Sequence, residues 1–261
     1  MKIATGQVAV ITGGASGIGF ALAQALATRG LQIALVDVEA PALDAAADAL
    51  REHGAGVAAF AADVSDATTM TALAHEIASR FGGVDLLINN AGVGGQLGPL
   101  WDSHPNDWSW VFGVNVFGVV NGLRAFLPLM LARERAGHTP GHVLNVASLA
   151  GLTAPPFLTA YTASKHAVVG LSESLAQELA IMQSHIRVSV VCPGVVASRI
   201  KQSTRNRPQS LAGASRTPPE MLARIEAAFE AQTQNPMEGD AFAARVLAGI
   251  EANEPLILTH P

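Results

Sequence analysis

Cysteine is almost absent from this chain of 261 residues, whose single cysteine is Cys192. A lone cysteine excludes an intrachain disulfide. Cys192 ends the apolar run RVSVVC, and this position predicts a buried thiol with no catalytic or redox duty.

Charged residues are also scarce, since Asp, Glu, Lys and Arg make up 14% of the chain and the net charge is −5 at pH 7. This acidic balance lacks the basic footprint of a nucleic-acid-binding protein, so no nucleic-acid partner is expected. No apolar run approaches the roughly 20 residues of a membrane span, and no signal peptide opens the chain. We expect a soluble, cytoplasmic protein with no membrane partner.

Candidate metal ligands are few. His138 and His142 have a plausible spacing, but they lie in a Gly/Pro loop with no third ligand in view, so no metal is predicted. Apolar residues, by contrast, make up 49% of the chain. That share suits one large α/β domain covering residues 1–261.

Short apolar runs recur along the chain and alternate with helical patterns, as repeated βαβ units do. The runs lie near residues 8–12, 33–37, 57–61, 86–89, 142–147, 186–192 and 255–258. Several are continuously apolar, which is typical of parallel strands covered by helices on both faces. The pattern predicts a doubly wound α/β fold with one parallel sheet of about seven strands.

The segment 195–238 is poor in strand signals and rich in Pro, Ser and Arg. Its place after the sixth predicted strand favours a substrate lid, and a disordered or surface loop is the alternative. Arg199, Lys201, Arg205 and Arg207 cluster there. The cluster has two interpretations that the sequence does not separate: a solvated loop, or a contact with a polar or acidic group of the substrate.

The first apolar run leads into TGGASGIG and then into a helical pattern. The glycines at 13, 17 and 19 depart from G-x-G-x-x-G spacing, yet they let the backbone approach a phosphate at a helix N-terminus. Asp37 ends the second run about 20 residues further on, where a carboxylate can accept both hydroxyls of an adenosine ribose. These residues predict a Rossmann-like dinucleotide site.

The choice of cofactor depends on Asp37. A 2′-phosphate would meet its like charge, and Gly14, Ala15, Ser16 and Val38 offer no positive charge nearby. NAD is therefore predicted rather than NADP.

Tyr161 and Lys165 in YTASK, with Ser148 upstream in NVAS, form a second constellation. Residues four apart share a helix face, so the ammonium is expected one turn from the phenol. Opposite charges about 4 Å apart at an effective dielectric near 20 attract by roughly 4 kcal/mol, or about three pKa units. That attraction would bring a tyrosine pKa near 7, although a Tyr and Lys at this spacing are more often a solvated helix face.

Together these motifs resemble the short-chain dehydrogenase/reductase family over almost the whole chain. The matching positions are TGGASGIG, Asp63-Val64, Asn89-Asn90-Ala91-Gly92, Asn115, Ser148, Tyr161 with Lys165, and Pro193-Gly194. The resemblance implies that Tyr161 exchanges a proton with a substrate oxygen, which Ser148 hydrogen-bonds. It also implies that Lys165 lowers the tyrosine pKa and holds the nicotinamide ribose. Asn115, by the same resemblance, anchors a water in a proton path.

The resemblance assigns cofactor contacts along the chain as well. They are Gly13, Ser16, Ile18 and Gly19 for pyrophosphate and ribose, Asp37 and Asn90 for the adenosine ribose, Asp63 and Val64 for adenine, Val196 and Ser198 for the carboxamide end, and Gly92, Tyr161, Lys165, Pro193 and Gly194 elsewhere. Ser198 departs mildly from the threonine common in the family. The implied reaction is hydride transfer between NAD and a small-molecule alcohol or ketone.

The run GVNVFGVVNGLRAFLPLML and the ending PLILTHP more loosely resemble a branch of aryl-alcohol dehydrogenases. That likeness suggests a bulky or aromatic secondary alcohol, with hydroxysteroid-type or small 3-hydroxyacyl substrates as alternatives. A non-catalytic nicotinamide sensor, an epimerase or a dehydratase would be a different class. Family members usually form oligomers through the helices that here carry Asn115 and Tyr161, so a homodimer or homotetramer is expected. The chain lacks the usual V-D-G-G stretch near its end, which leaves the choice between them open.

Overall fold

The computed structural model describes residues 1–52 and 54–260, so His53 and the last residue of the predicted domain, Pro261, lie outside the described residues. Seven strands lie within the described part: β1 Val8–Thr12, β2 Gln32–Asp37, β3 Val57–Ala61, β4 Leu86–Asn89, β5 His142–Val146, β6 Arg187–Cys192 and β7 Leu256–Leu258. They form one parallel sheet in the order β3-β2-β1-β4-β5-β6-β7. The predicted parallel sheet is confirmed, and each strand begins and ends within one residue of its predicted position.

Helices connect the strands. They are α1 Gly17–Thr28, α2 Ala40–Glu52, α3 Ala67–Phe81, α4 Pro105–Phe112, α5 Gly118–Arg135, α6 Thr159–Ile181, α7 Pro219–Gln232 and α8 Gly239–Ala252. A π-helical turn, Gly113–Phe117, joins α4 and α5 into one long helix. Short 3₁₀ turns lie at Leu100–Asp102, Leu149–Gly151, Ile200–Asn206 and Gln209–Leu211.

Side chains of β1 alternate between the two faces of the sheet. Ile11 packs into a buried cluster with Leu22 of α1 and Phe242 of α8. Val10 points the other way, into a buried cluster that contains Phe126 of α5. Helices therefore cover both faces, as the doubly wound fold requires. Burial of each such side chain is worth roughly 1.5–3 kcal/mol.

The strand order reverses at β1, which has β2 on one side and β4 on the other. Connections leave the carboxyl ends of such strands in opposite directions and open a crevice between them. β1 ends at Thr12 and β4 at Asn89. The glycine turn and the NNAG motif therefore meet at the crevice.

The long helix Pro105–Arg135 is, by length and composition, apolar enough to cross a membrane. Asn115, Asn121 and Arg124 interrupt its apolar sequence. Its buried residues, among them Phe126 and Met130, belong to the core beneath the sheet. The helix thus packs as a core element of the domain.

Segment 195–238 leaves the sheet and returns to its starting point. Val196 forms a parallel bridge with Met237. The N–H of Ala197 donates to the carbonyl of Met237 at 3.0 Å, and the N–H of Met237 donates to the carbonyl of Val195 at 2.8 Å. The two ends of the segment are thereby held together, and two 3₁₀ turns and α7 lie between them.

Candidate active site

A cleft of about 1700 Å³ opens at the carboxyl edge of the sheet. Pockets for one drug-sized ligand typically measure about 300–1,000 Å³, so this cleft has room for more than one small molecule. Most of the predicted site residues line it: Gly13, Ser16, Ile18, Asp37, Asp63, Val64, Asn90, Gly92, Ser148, Tyr161, Lys165, Pro193, Gly194, Val196 and Ser198. Gly19 and Asn115 are not among the lining residues.

Gly13, in the turn after β1, lies too close to the chain after β4 to carry a side chain. Gly13 has a φ of +64°, and a Cβ there would lie 2.8 Å from the Cα of Ala91. A Cβ on Gly19 would lie 2.2 Å from the carbonyl oxygen of Gly13. Gly19 therefore lets α1 pack against the back of the turn, which explains why it does not line the cleft.

Thr12 and Asn90 hold this turn in place. The Oγ1 of Thr12 accepts the N–H of Asn90 at 2.9 Å and that of Ala91 at 3.1 Å. The Nδ2 of Asn90 donates to the carbonyls of Thr12 at 2.8 Å and Gly13 at 3.0 Å. Both amide protons of Asn90 are thus used within the protein, and its Oδ1 is the side-chain atom left for a ligand. This role of the Thr12 side chain was not predicted from the sequence.

Asp37 ends β2 at the wall of the cleft. Its Oδ2 accepts the N–H of Ala15 at 3.0 Å, and its Oδ1 accepts the N–H of Glu39 at 3.0 Å. A carboxylate oxygen has further lone pairs. The group is therefore oriented by the backbone and can still accept hydroxyls of a ribose.

Three polar side chains meet deeper in the cleft. Ser148 follows β5 and accepts the N–H of Ala150 at 3.1 Å. Tyr161 and Lys165 lie in the first two turns of α6, and Lys165 Nζ is 5.6 Å from the centre of the tyrosine ring. The same Nζ donates to the carbonyl of Val146 at 3.0 Å, and Ser148 hydrogen-bonds the Tyr161 phenol.

The pKa values of this group differ from the sequence prediction. The surrounding protein withdraws the phenol from bulk water and raises the pKa of Tyr161 above its usual 10.0, and the hydrogen bond from Ser148 lowers it by less. Burial lowers the pKa of Lys165 from 10.5 to about 8. The predicted tyrosine pKa near 7 is therefore wrong, because desolvation of the buried phenol outweighs the attraction between charges that the helix spacing provides.

Asn115 lies in the π-helical turn and is fully buried. Its Oδ1 accepts the N–H of Val93 at 2.8 Å, and its Nδ2 donates to the Val93 carbonyl and to Ser164 Oγ, each at 3.0 Å. Ser164 in turn donates to the carbonyl of Tyr161 at 2.6 Å. Asn115 thus ties the loop after β4 to the start of α6. Single π turns within α-helices are frequent at functional sites.

The positions predicted for the two ends of the cofactor are held by local bonds. Asp63 Oδ1 accepts the N–H of Ser65 at 2.8 Å and its hydroxyl at 2.7 Å. The carbonyl of Val64 accepts Asn121 Nδ2 at 2.9 Å. At the other end, a Cβ on Gly17 would lie 3.0 Å from Ser198 Cβ, so Ser198 backs directly onto the glycine turn.

The chain after β6 forms another wall of the cleft. The carbonyl of Pro193 accepts the N–H of Leu149 at 2.7 Å, which joins this chain to the turn that follows Ser148. The N–H of Gly194 donates to Nδ1 of His260 at 3.2 Å. His260 lines the cleft, and no motif in the sequence points to it.

Arg205 and Arg207 of the 195–238 cluster form its shorter ion pairs with carboxylates of this chain. Arg205 donates to Glu39 through Nε at 3.2 Å and also through Nη2. Arg207 Nη1 lies 3.1 Å from Asp107 Oδ1. These two side chains are therefore engaged within the protein, which neither interpretation of the cluster anticipated. The partners are 166 and 100 residues apart in sequence, so no local pattern could reveal them.

A family model described as short chain dehydrogenase matches residues 7–209. The chain belongs to this family. A crystal structure of a short chain dehydrogenase/reductase from Burkholderia phymatum in complex with NAD agrees with a TM-score of 0.93 and 40% sequence identity. That match covers 100% of this chain and 91% of the other.

Two further relatives of this short-chain dehydrogenase match its whole length. The C alpha-dehydrogenase of Sphingobium sp. is 32% identical over 100% of this chain and 83% of that protein. The CLA biosynthesis dehydrogenase/reductase of Lactiplantibacillus plantarum is 32% identical over 100% of this chain and 90% of that protein. The first match confirms the predicted resemblance to the aryl-alcohol branch. The family is one of oxidoreductases.

The cleft of this dehydrogenase fits a nicotinamide dinucleotide. The turn at Gly13 presents backbone with no room for a Cβ, which is what a pyrophosphate cradle requires. Asp37 lies on the same wall, about the distance along the chain expected of a ribose-binding carboxylate. The large volume leaves space for a substrate beside Ser148 and Tyr161.

Proposed function

We propose that this dehydrogenase transfers hydride between NAD and a secondary alcohol or ketone that is bulky or aromatic. The observation that carries the proposal is the meeting of Ser148, Tyr161 and Lys165 in the same cleft as the glycine turn. NAD, when bound, would supply the hydride acceptor, and NADH the donor. The residues of the chain hold the ligands and move the proton.

In this proposal Tyr161 is the general acid and base for the substrate oxygen, and Ser148 hydrogen-bonds that oxygen as charge develops. Since its pKa is about 8, Lys165 keeps most of its charge at neutral pH and favours negative charge on the phenol oxygen. One proton of its ammonium is held by Val146, and two remain for ribose hydroxyls. Asn115 positions the tyrosine from behind through Ser164.

NAD is proposed over NADP because Asp37 places a carboxylate where a 2′-phosphate would be repelled. The Burkholderia phymatum neighbour, which holds NAD, supports this choice. Asp37→Ser removes the charge and keeps a hydroxyl. We expect that variant to have a lower ratio of kcat/KM with NAD to kcat/KM with NADP. An unchanged ratio would contradict the role of Asp37 in cofactor choice.

A bulky or aromatic substrate is proposed because the cleft beyond Tyr161 has many apolar side chains. They include Leu149, Pro155, Phe157, Leu211 and Leu222. An apolar wall with a few polar groups is typical of sites for such molecules. Similarity to the C alpha-dehydrogenase supports the aryl-alcohol assignment.

We also propose that segment 195–238 is the lid of a single domain spanning residues 1–261, in a cytoplasmic homodimer or homotetramer. The lid is supported by its pinned ends and by its share of the cleft wall. The oligomer is supported by Phe117, which is 57% exposed in the same π-helical turn as Asn115. Light scattering measures the subunit number, and Phe117→Asp is expected to weaken the assembly.

The test is nicotinamide absorbance during incubation with NAD and matched secondary alcohols, from small aliphatic through aryl to steroidal and 3-hydroxyacyl members, with NADP in parallel. We expect turnover on aryl members with NAD. Tyr161→Phe should lose about 10²- to 10⁴-fold in rate while NADH binding persists. Retention of more than about a hundredth of the rate would contradict the role of Tyr161. NADH binding with no turnover on any member would favour a nicotinamide sensor.

A further inference from the structure

The lid contacts the body of the protein at Glu39, the second residue after the end of β2. Arg205 donates to Glu39 Oε2 through Nε at 3.2 Å and to Oε1 through Nη2. Asn206 Nδ2 donates to the same Oε1 at 2.9 Å. Arg199 adds a longer ion pair at 3.9 Å. We call Glu39, Arg205 and Asn206 the latch.

The latch lies at the adenosine end of the cleft. The backbone N–H of Glu39 donates to Asp37 Oδ1 at 3.0 Å, so the latch and the proposed ribose carboxylate are directly connected. All three latch residues line the same cleft as Asp37 and Gly13. A dinucleotide held by Asp37 and the glycine turn would therefore lie beneath a closed contact between sheet and lid.

Burial distinguishes this contact from a second ion pair of the lid. The side chains of Glu39 and Arg205 are 22% and 28% exposed, whereas those of Asp107 and Arg207 are 2% and 8% exposed. A buried ion pair is costly to break because each charge would be left without a partner. The latch is reached by water and is the weaker of these two ion pairs. Opening of the lid is therefore expected to begin at Glu39 rather than at Arg207.

We propose that Glu39 is a positioning residue for the cofactor: it latches the lid over the adenosine end of the bound dinucleotide, and opening of the Glu39–Arg205 contact admits NAD and releases NADH. This inference rests on the proposed dinucleotide binding. Glu39 acts through Arg205 and Asn206 and touches no reacting atom. The hydrogen bonds to Arg205 also lower the pKa of the Glu39 carboxyl, so the latch stays charged at neutral pH.

The test is stopped-flow displacement of NADH fluorescence from the wild-type protein, Glu39→Gln, Arg205→Gln and the double variant. Hydrogen bonds to charged groups are strong enough that loss of the latch should speed NADH release about tenfold. The double variant should release NADH no faster than either single variant, since both break one contact. Salt should speed release from the wild type and have little effect in the variants.

Asp48→Asn is the matched control. It removes one carboxylate from the exposed Asp48–Arg51 pair of α2, whose 2.7 Å contact lies outside the cleft. Its NADH release rate should equal that of the wild type. In the latch variants kcat should rise wherever NADH release limits turnover, and a merely structural defect would lower it instead.

NADH release within about twofold of the wild type in both single variants, or additive effects in the double variant, would overturn the latch. Those results would leave the proposed function standing, because they presuppose that NADH binds. Failure of the wild-type protein to bind NADH would overturn both. Equal thermal midpoints of the variants show that a change in release does not come from unfolding.

Discussion

Tyr161 is the only tyrosine in the chain, so tyrosinate absorbance reports on this residue alone. Desolvation raises the pKa of its phenol above 10.0, and the smaller effect of the Ser148 hydrogen bond lowers it. We predict that the free enzyme shows no tyrosinate signal until the pH exceeds about 10. This is the opposite of what the Tyr–Lys spacing alone suggests.

How much positive charge stands beside the phenol at each pH depends on Lys165, whose pKa is lowered from 10.5 to about 8 by burial. About nine in ten of its side chains are charged at pH 7 and about one in ten at pH 9. The cation is therefore largely gone before the phenol begins to ionise.

The assay is an ultraviolet difference spectrum of wild type minus Tyr161→Phe, from about pH 6 to about pH 11. The variant has no tyrosine, so subtracting its spectrum removes the background of the three tryptophans. The same protein unfolded in urea supplies the amplitude of one tyrosinate, with a midpoint near 10. A native midpoint below that of the unfolded chain would refute the reasoning. A midpoint that falls only with NAD bound would show that the ligand lowers the phenol pKa.

Three further predictions concern buried groups. Asp107→Asn should lower the free energy of unfolding in urea by about 3–5 kcal/mol, because it leaves the buried Arg207 guanidinium unpaired. Adding Arg207→Met should restore most of that loss. A loss below about 1 kcal/mol in the single variant would contradict the importance of the pair. Burial lowers the pKa of His142 from 6.5 to about 3. The free energy of unfolding should therefore decrease as the pH is lowered below 6.5, by roughly 2 kcal/mol at pH 5. His142→Leu should flatten that part of the pH profile, and a parallel profile would rule out this source. Burial raises the pKa of the Cys192 thiol, so thiol reagents should modify it only at the rate of unfolding, and rapid labelling of the native protein would contradict its burial.

Much of the fold was predictable because local sequence patterns determine it. Continuous apolar runs such as VAVIT need cover on both faces, and all five residues of that strand are buried. The turn at Gly13 needs a positive φ and close backbone approach, which glycine alone supplies at no steric cost. Seven strands and the glycine turn could therefore be predicted before any contact between elements was known.

The site was predictable in its composition and less so in its energetics. Ser148, Tyr161 and Lys165 are close in sequence and come together where β5 has ended and α6 begins. Their pKa values depend on how much water the surrounding protein removes, and that protein comes from distant parts of the chain. Gly19 illustrates the same gap, since its motif suggested a cofactor contact, whereas only its spatial neighbours show that a Cβ there would clash with the carbonyl oxygen of Gly13.

Local periodicity and short motifs thus predicted the strands, the helices around them, the glycine turn and the identity of the polar residues in the cleft. Tertiary structure alone decided how the lid is attached, because Glu39 and Arg205 are 166 residues apart and Asp107 and Arg207 are 100 residues apart. It also decided the charge state of Tyr161 and Lys165. Periodicity depends on neighbours along the chain, whereas ion pairing and desolvation depend on neighbours in space, which become known only when the chain has folded.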